Sequence, residues 1–405
     1  MAASSVCSRW FKKRRTMVAE LSIVQCVGVV GAGVMGASIA HLTSSVGVET
    51  VIKVRARPGA IEQAWQTMRA SYAREVEAER ASPAEAEAGL ARLRITDDYA
   101  DLGRAGCEIV IESVPEHLAI KHEVLQAVEA AVHDDCVFAS NTSSLPIAWL
   151  ARRSVRPHRI VGMHYFWPAH RQPLLEISSL PDTAPDALAC ARVLGRQQGR
   201  VELLVRDMPG FLTTRILMPY LSEAVLLVGQ GVPVDQVDAA LEAFGWRMGP
   251  FRLMDAVGIE TIAYAHDCLR SFLGDRIMGL ERLWPLVQAG YVGRRANAGF
   301  YTYGPEGRCP NPVTYEMLQE KDGICPPEPI ELVHRPVWMM VHEAALCVAE
   351  GVVASWEEAD LGANLGLGFP MSQGGLLAYR QRIGDDAIRR QFEVWKHRYG
   401  PRFHL

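Results

Sequence analysis

Twelve histidines are spread through this 405-residue chain, and one of them stands where chemistry is expected. His164 lies in Gly162-Met-His-Tyr-Phe-Trp-Pro168, at the C-terminal edge of the strand-like run 159–165. Open α/β sheets place their ligands at that edge. Twelve residues further on, Glu176 sits inside an otherwise apolar Pro-Leu-Leu-Glu-Ile run. A carboxylate in such a run is costly to bury unless it is paired, and His164 is the natural partner. An imidazole braced by an acid takes up and returns a proton near neutral pH. Removal of hydride from a carbinol carbon needs such a group, because without a base a protonated carbonyl is left behind.

Hydride also needs a carrier, and residues 27–36, Val-Gly-Val-Val-Gly-Ala-Gly-Val-Met-Gly, supply a cradle for one. The apolar run breaks into G-x-G-x-x-G at Gly31, Gly33 and Gly36. In this pattern the first glycine permits a sharp turn, the second admits a pyrophosphate and the third lets the helix pack on the strand. The helix that follows turns its free N–H groups and positive dipole end toward the diphosphate. The second strand ends Ile52-Lys53-Val54-Arg55, so Val54 occupies the place where an acid usually holds the ribose of NAD. With Arg55 and Arg57 following, the site suits the 2′-phosphate of NADP. The same two arginines read equally well as the solvated face of a loop.

Positioning these groups falls to an α/β unit. Strand-like runs at Cys26–Val30, 50–54, 109–113, Val137–Ser140 and 159–165 alternate with helical patterns, which predicts a Rossmann-like doubly wound parallel sheet. Residues 82–94 have helix-former composition, and Asp207-Met208-Pro209-Gly210 breaks the alternation. Beyond it only helical periodicity is read, with an internal repeat. Arg215, Glu223-Ala224 and Gly231-Val232 return 120 residues later as Arg335, Glu343-Ala344 and Gly351-Val352. The expected division is a basic, disordered extension over 1–21, a dinucleotide-binding domain over 22–205, a helical domain over 206–305 and its second copy over 328–405. A loop-like stretch, 304–329, joins the copies.

Composition narrows the class. Hydrophobic residues make up 49% and charged residues 22%, as in ordinary globular proteins, and a formal net charge of −4 gives no electrostatic case for nucleic acid or a membrane surface. No apolar run reaches the length of a membrane span. The nine cysteines show neither C-x-x-C nor metal-ligand spacing, so no metal is expected and a reducing cytoplasm is.

From about residue 24 onward the chain resembles the L-3-hydroxyacyl-CoA dehydrogenase family. His164 stands for the histidine of that family's G-x-H-F-F-N-P, Glu176 for the glutamate of L-V-E-[VI], and Ser140-Asn141-Thr142-Ser143-Ser144 for S-N-T-S-S. Val110-Ile111-Glu112-Ser113-Val114 with Lys121 matches its V-V-E-A-[VI] cofactor segment. D-x-P-G-F, M-G-P and G-F-Y-x-Y recur at 207–211, 248–250 and 299–303. The resemblance implies that His164 is the acid/base, that Glu176 orients it and that Ser143 hydrogen-bonds the substrate oxygen. It further implies that Asn141 lies on the nicotinamide side and that Glu112 and Lys121 help bind the cofactor. That cofactor is NAD by the resemblance, against the NADP suggested by Val54 and Arg55. The implied substrate is a 3-hydroxyacyl or 3-oxoacyl thioester carried on CoA or on an acyl carrier protein. The repeated helical region is similar to the dehydrogenase half of multifunctional fatty-acid oxidation α subunits, here with no hydratase region ahead of it. A standalone dehydrogenase is expected, either a monomer by internal duplication or a homodimer.

Three positions depart from the family pattern. Thr214 replaces the active-site asparagine of F-x-V-N-R, Trp167 replaces the asparagine of H-F-F-N-P, and Val54 replaces the ribose-binding acid. Two alternatives accommodate them: a specialised biosynthetic 3-oxoacyl reductase and a catalytically weakened acyl-thioester-binding protein. A β-hydroxyacid dehydrogenase would need a catalytic lysine, and no comparable lysine context follows the sheet.

Overall fold

Aliphatic and β-branched runs can bury both faces of a strand, as parallel sheets require, and the first such run forms the centre of this fold. In the computed structural model, which describes residues 23–319 and 326–404, β1 (Cys26–Val30) is buried along its whole length. It is followed by α1 (Val34–Ser45), β2 (Glu49–Lys53), α2 (Ala60–Glu77), α3 (Pro83–Ala91), β3 (Leu93–Thr96), α4 (Ala100–Arg104) and β4 (Ile109–Glu112). Next come α5 (Leu118–Ala131), β5 (Val137–Ser140), α6 (Ile147–Ala151), β6 (Ile160–Tyr165), β7 (Leu174–Ser179), α7 (Pro185–Gln197) and β8 (Val201–Arg206). The basic extension expected over 1–21 lies outside the described residues.

Eight strands form one sheet in the order β3-β2-β1-β4-β5-β6-β7-β8. Strands β1 to β6 are parallel, and the chain's winding reverses between β1 and β4. That reversal opens a crevice at the strands' C-terminal ends. The sheet is not parallel throughout, which corrects the expectation: β7 runs against β6, and β8 runs parallel to β7. The eight residues 166–173 that join β6 to β7 are too few for a crossover, which takes a dozen or more, so the chain turns back. The antiparallel register sets His164 directly opposite Glu176.

Beyond the sheet run α8 (Thr213–Gly229), α9 (Val234–Phe244), α10 (Pro250–Val257), α11 (Ile259–Leu273) and α12 (Leu283–Gln288). A hairpin of β9 (Tyr301–Gly304) and β10 (Gly307–Pro310) leads to α13 (Pro312–Leu318). The expected loop over 304–329 therefore carries a strand and a helix, and the region is not helical alone. The chain ends with α14 (Glu331–Ala349), α15 (Trp356–Gly362), α16 (Leu376–Ile383) and α17 (Asp385–Tyr399). Helix α8 is apolar nearly all round, and fifteen of its seventeen residues are buried, as befits a helix covered on every side. Its main cover is α14. The two exchange reciprocal charges: Arg215 Nε lies 2.7 Å from Glu343, and Arg335 Nε lies 2.8 Å from Glu223. Asp238 of α9 accepts the Phe251 N–H at the start of α10 (2.9 Å), and Asp360 of α15 accepts the Leu377 N–H at the start of α16 (3.1 Å).

Candidate active site

Side chains opposite one another in an antiparallel pair stand on the same face, near enough to touch. Accordingly, His164 Nδ1 is 2.7 Å from Glu176 Oε2. His164 is 8% exposed and Glu176 1%. Such a carboxylate must find donors, and the start of α8 supplies them. Glu176 Oε1 accepts the N–H groups of Leu212 (3.2 Å) and Thr213 (3.0 Å), and Oε2 accepts the Thr213 hydroxyl (2.7 Å). The positive end of a long helix therefore rests on the acid. Because the ionised carboxylate only accepts, Nδ1 of His164 carries a proton and Nε2 is the nitrogen left for exchange. No hydrogen bond occupies Nε2 among the described residues. The ring is flanked by Phe166, 4.5 Å between centroids, and Phe211, 6.2 Å.

The strand ends beside the pair carry the other expected residues. Asn141 Oδ1 accepts the Tyr165 N–H at 2.9 Å, so its amide ties the end of β5 to the residue after His164. Ser143 is half-buried, and its hydroxyl makes no hydrogen bond among the described residues. Thr214 is likewise half-buried but bonds neither member of the pair. Its neighbour Thr213 makes that contact, and the sequence reading missed it. Trp167 is 61% exposed, beyond the ring of Phe166.

Glu112 and Lys121, which the resemblance implies help bind the cofactor, lie paired at the C-terminal end of β4. Both are fully buried. Lys121 Nζ lies 2.9 and 3.0 Å from the two oxygens of Glu112 and 3.0 Å from Glu116. Its three N–H donors are thereby engaged. Glu112 also accepts the Val114 N–H and the Ser140 hydroxyl, each at 2.7 Å. Glu116, a residue the sequence reading passed over, accepts the Thr142 hydroxyl, the N–H groups of Ser143 and Ser144 (3.1 Å each) and the Ser144 hydroxyl (2.8 Å). Burial works to raise its pKa, but the Lys121 charge and the two hydroxyls outweigh burial and hold it down at about 2. The cluster braces the loop that carries Ser143.

On the other side of the crevice the glycines fit a dinucleotide. Gly31 has a φ of 105°, and a Cβ there would lie 2.5 Å from the Ser113 carbonyl oxygen. A Cβ on Gly36 would overlap the Gly31 carbonyl. Nothing lies within 4 Å of the corresponding point on Gly33, the N-cap of α1, which leaves an open cradle at a helix N-terminus. Val54 is 3% exposed and offers no acceptor to a ribose. Arg55 is exposed, and Arg57 donates to Gln63. Among the described residues no cluster of His, Cys, Asp or Glu is placed to hold a metal ion. No helix among them is long and apolar enough to cross a membrane.

Residues 26–208 match the family described as 3-hydroxyacyl-CoA dehydrogenase, NAD binding domain, and residues 210–303 match 3-hydroxyacyl-CoA dehydrogenase, C-terminal domain. The chain belongs to the 3-hydroxyacyl-CoA dehydrogenase family. It is 30% identical to the solved (S)-3-hydroxybutyryl-CoA dehydrogenase of Ralstonia eutropha, covering 99% of that chain and 69% of its own length with a TM-score of 0.64. It is 34% identical over 382 residues to the fatty acid oxidation complex subunit alpha of Shewanella oneidensis, covering 93% of this chain. The chain spans about half the length of the curated relatives it matches. The 3-hydroxybutyryl-CoA dehydrogenase of Escherichia coli shares the fold over 95% of this chain and 97% of its own, with a TM-score of 0.79 at 22% identity. The match to an NAD binding domain over residues 26–208 supports an NAD(P) cofactor. In the sequence Thr213 is one of two adjacent threonines, and the phase of α8 decides which one faces Glu176.

Proposed function

We propose that the chain transfers hydride between a nicotinamide cofactor and C3 of a 3-hydroxyacyl or 3-oxoacyl thioester, with His164 as acid/base. The single observation that carries this reading is the buried pair of His164 and Glu176 at 2.7 Å, with Nε2 left unoccupied. The bound nicotinamide supplies or accepts the hydride at C4. Nε2 of His164 gives a proton to the substrate oxygen during ketone reduction and removes it during alcohol oxidation. Glu176, fixed by the first turn of α8, holds the ring and stabilises its cation. The Ser143 hydroxyl, on a loop held rigid by Glu116, is free to donate to the substrate oxygen as charge develops there. Relatives named as 3-hydroxybutyryl-CoA dehydrogenase and as a fatty acid oxidation subunit support an acyl-CoA substrate, with acyl carrier protein as the other thioester carrier.

A second reading concerns the cofactor. Val54 in place of an acid, followed by exposed Arg55 without an ion pair among the described residues, favours acceptance of the NADP 2′-phosphate beside the NAD expected of the family. The helical regions 206–305 and 328–405 read as two copies of one unit. Their support is the reciprocal Arg215–Glu343 and Arg335–Glu223 pairs and the matching aspartate caps of α10 and α16. With α8 already covered by α14, the monomer is the favoured assembly.

Loss of reduced-nicotinamide absorbance with acetoacetyl-CoA, run with NADH and then NADPH, tests the activity and the cofactor together. Turnover is expected. Silence with both cofactors would instead favour the weakened binding protein, and equal rates would remove the inference from Val54 and Arg55.

A further inference from the structure

The last third of the chain reaches back to the His164–Glu176 pair. After α15 the backbone widens into one π-helical turn, Ala363–Leu367, a local form often found at functional sites. Gly366 in this turn has no room for a side chain. A Cβ there would lie 2.8 Å from Leu174 Cδ2, 3.0 Å from Thr213 Cγ2 and 3.2 Å from Phe166 Cε1. Each neighbour is one step from the pair. Leu174 is two residues before Glu176 on β7, Thr213 donates its hydroxyl to Glu176 Oε2 at 2.7 Å, and the Phe166 ring packs 4.5 Å from the His164 ring. Gly362, one turn earlier, meets Leu212 and Leu203 in the same manner, and the Leu212 N–H donates to Glu176 Oε1. The contact comes from beyond residue 303, where the family matches end.

We propose that Gly366 is a positioning residue: through it the Ala363–Leu367 turn locks the Thr213 rotamer onto Glu176 and the Phe166 ring onto His164. The proposal rests on the reading of His164 and Glu176 as the acid–base pair. A methyl group at 366 pushes on Thr213 Cγ2, and turning that side chain away withdraws its hydroxyl from the acid. Removing the Thr213 methyl relieves the collision while the hydroxyl stays.

The test uses the full chain, acetoacetyl-CoA and reduced nicotinamide across a pH series. Gly366→Ala is expected to lower kcat by about tenfold to a hundredfold, with the nucleotide KM unchanged, because a positioning defect falls on the transition state. The midpoint of its pH–rate profile is expected to move by about half a unit or more, since a third of a unit corresponds to only about twofold in an equilibrium constant. In a Thr213→Ser background, Gly366→Ala is expected to cost little kcat relative to Thr213→Ser alone. Wild-type kcat in Gly366→Ala, or a loss that Thr213→Ser does not relieve, would overturn the proposal. Should Gly366→Ala fail to fold, Thr213→Val keeps the shape and deletes the donor. It must then reproduce the shifted profile, and an unchanged profile overturns the proposal. His164→Gln in the same assay separates the two levels: if it stays active, the acid–base reading falls, whereas an inactive His164→Gln beside a silent Gly366→Ala removes only the role of Gly366.

Discussion

Two charge constellations stand on the same sheet, one at the end of β4 and one across β6 and β7, and they differ in a single free valence. Around Lys121, the ammonium is closed by Glu112 and Glu116, and both carboxylates are filled by hydroxyl and N–H donors. Around Glu176, the carboxylate is equally saturated, but its partner is an imidazole with one nitrogen unused. The first arrangement can only hold the backbone in place. The second can hold itself in place and still exchange a proton. Burial and pairing are shared by both, so it is the unfilled valence that sets the two apart.

The sharpest way to break this comparison is to remove the free valence. His164→Gln is expected to cut kcat by about three to four orders of magnitude, the upper part of what acid–base catalysis contributes, while fluorescence titration with NADH stays close to wild type. A loss of only a few-fold would make the two constellations equivalent. Lys121→Met attacks the other member. It leaves two buried carboxylates facing each other without a cation and is expected to cost about 3 to 5 kcal/mol in urea unfolding. A variant as stable as wild type would mean that the cluster is not closed in solution.

A buried imidazole without a carboxylate against it extends the comparison. His41 on α1 bonds Ser71 (2.7 Å) and stacks between Tyr72 and His170. Burial, then the charge of His170 and of Arg171 and Arg74, push it down to about 4, with Glu75 opposing. The folded protein thus keeps His41 neutral, while the unfolded chain protonates it below about 6.5. Stability linked to His41 is complete above pH 6.5 and falls as the pH drops toward 4, by about 3 kcal/mol. Asp238, raised to about 6 mainly by burial, acts in the opposite sense over part of that range. The readout is therefore the stability difference between wild type and His41→Gln at pH 7 and pH 4, which should shift against wild type. A difference that is flat with pH would contradict the buried neutral ring. The smallest effect is expected at Ser143→Ala, about tenfold in kcat for one hydrogen bond to developing charge. If kcat is untouched, the loop braced by Glu116 does not serve the substrate.

Much of this site was legible in the chain. The fingerprint at Gly31, the strand ending at Tyr165 and the acid at Glu176 follow from apolar runs and their interruptions, and those signals are local. The direction of β7 was not read, because an apolar run carries no polarity, although the short 166–173 connection already excluded a crossover. A motif gives the residue types of Glu112 and Lys121 without their burial or their pairing. Two acids and a lysine, at 112, 116 and 121, close on one another only once α5 folds back along β4. Thr213 and Gly366 were invisible for a further reason. Their contact joins positions more than 150 residues apart, and only the packing of the Ala363–Leu367 turn against α8 brings them together.

Because His164 and Glu176 form one rung of a hydrogen-bonded ladder, their spacing is inherited from the backbone of the sheet and not from any loop. The connecting residues 166–173 are left to hold Phe166 on the His164 ring and to tie the turn to α1 through Ser38. A fold wired in this manner sets the distance between acid and imidazole before any turn is built around them.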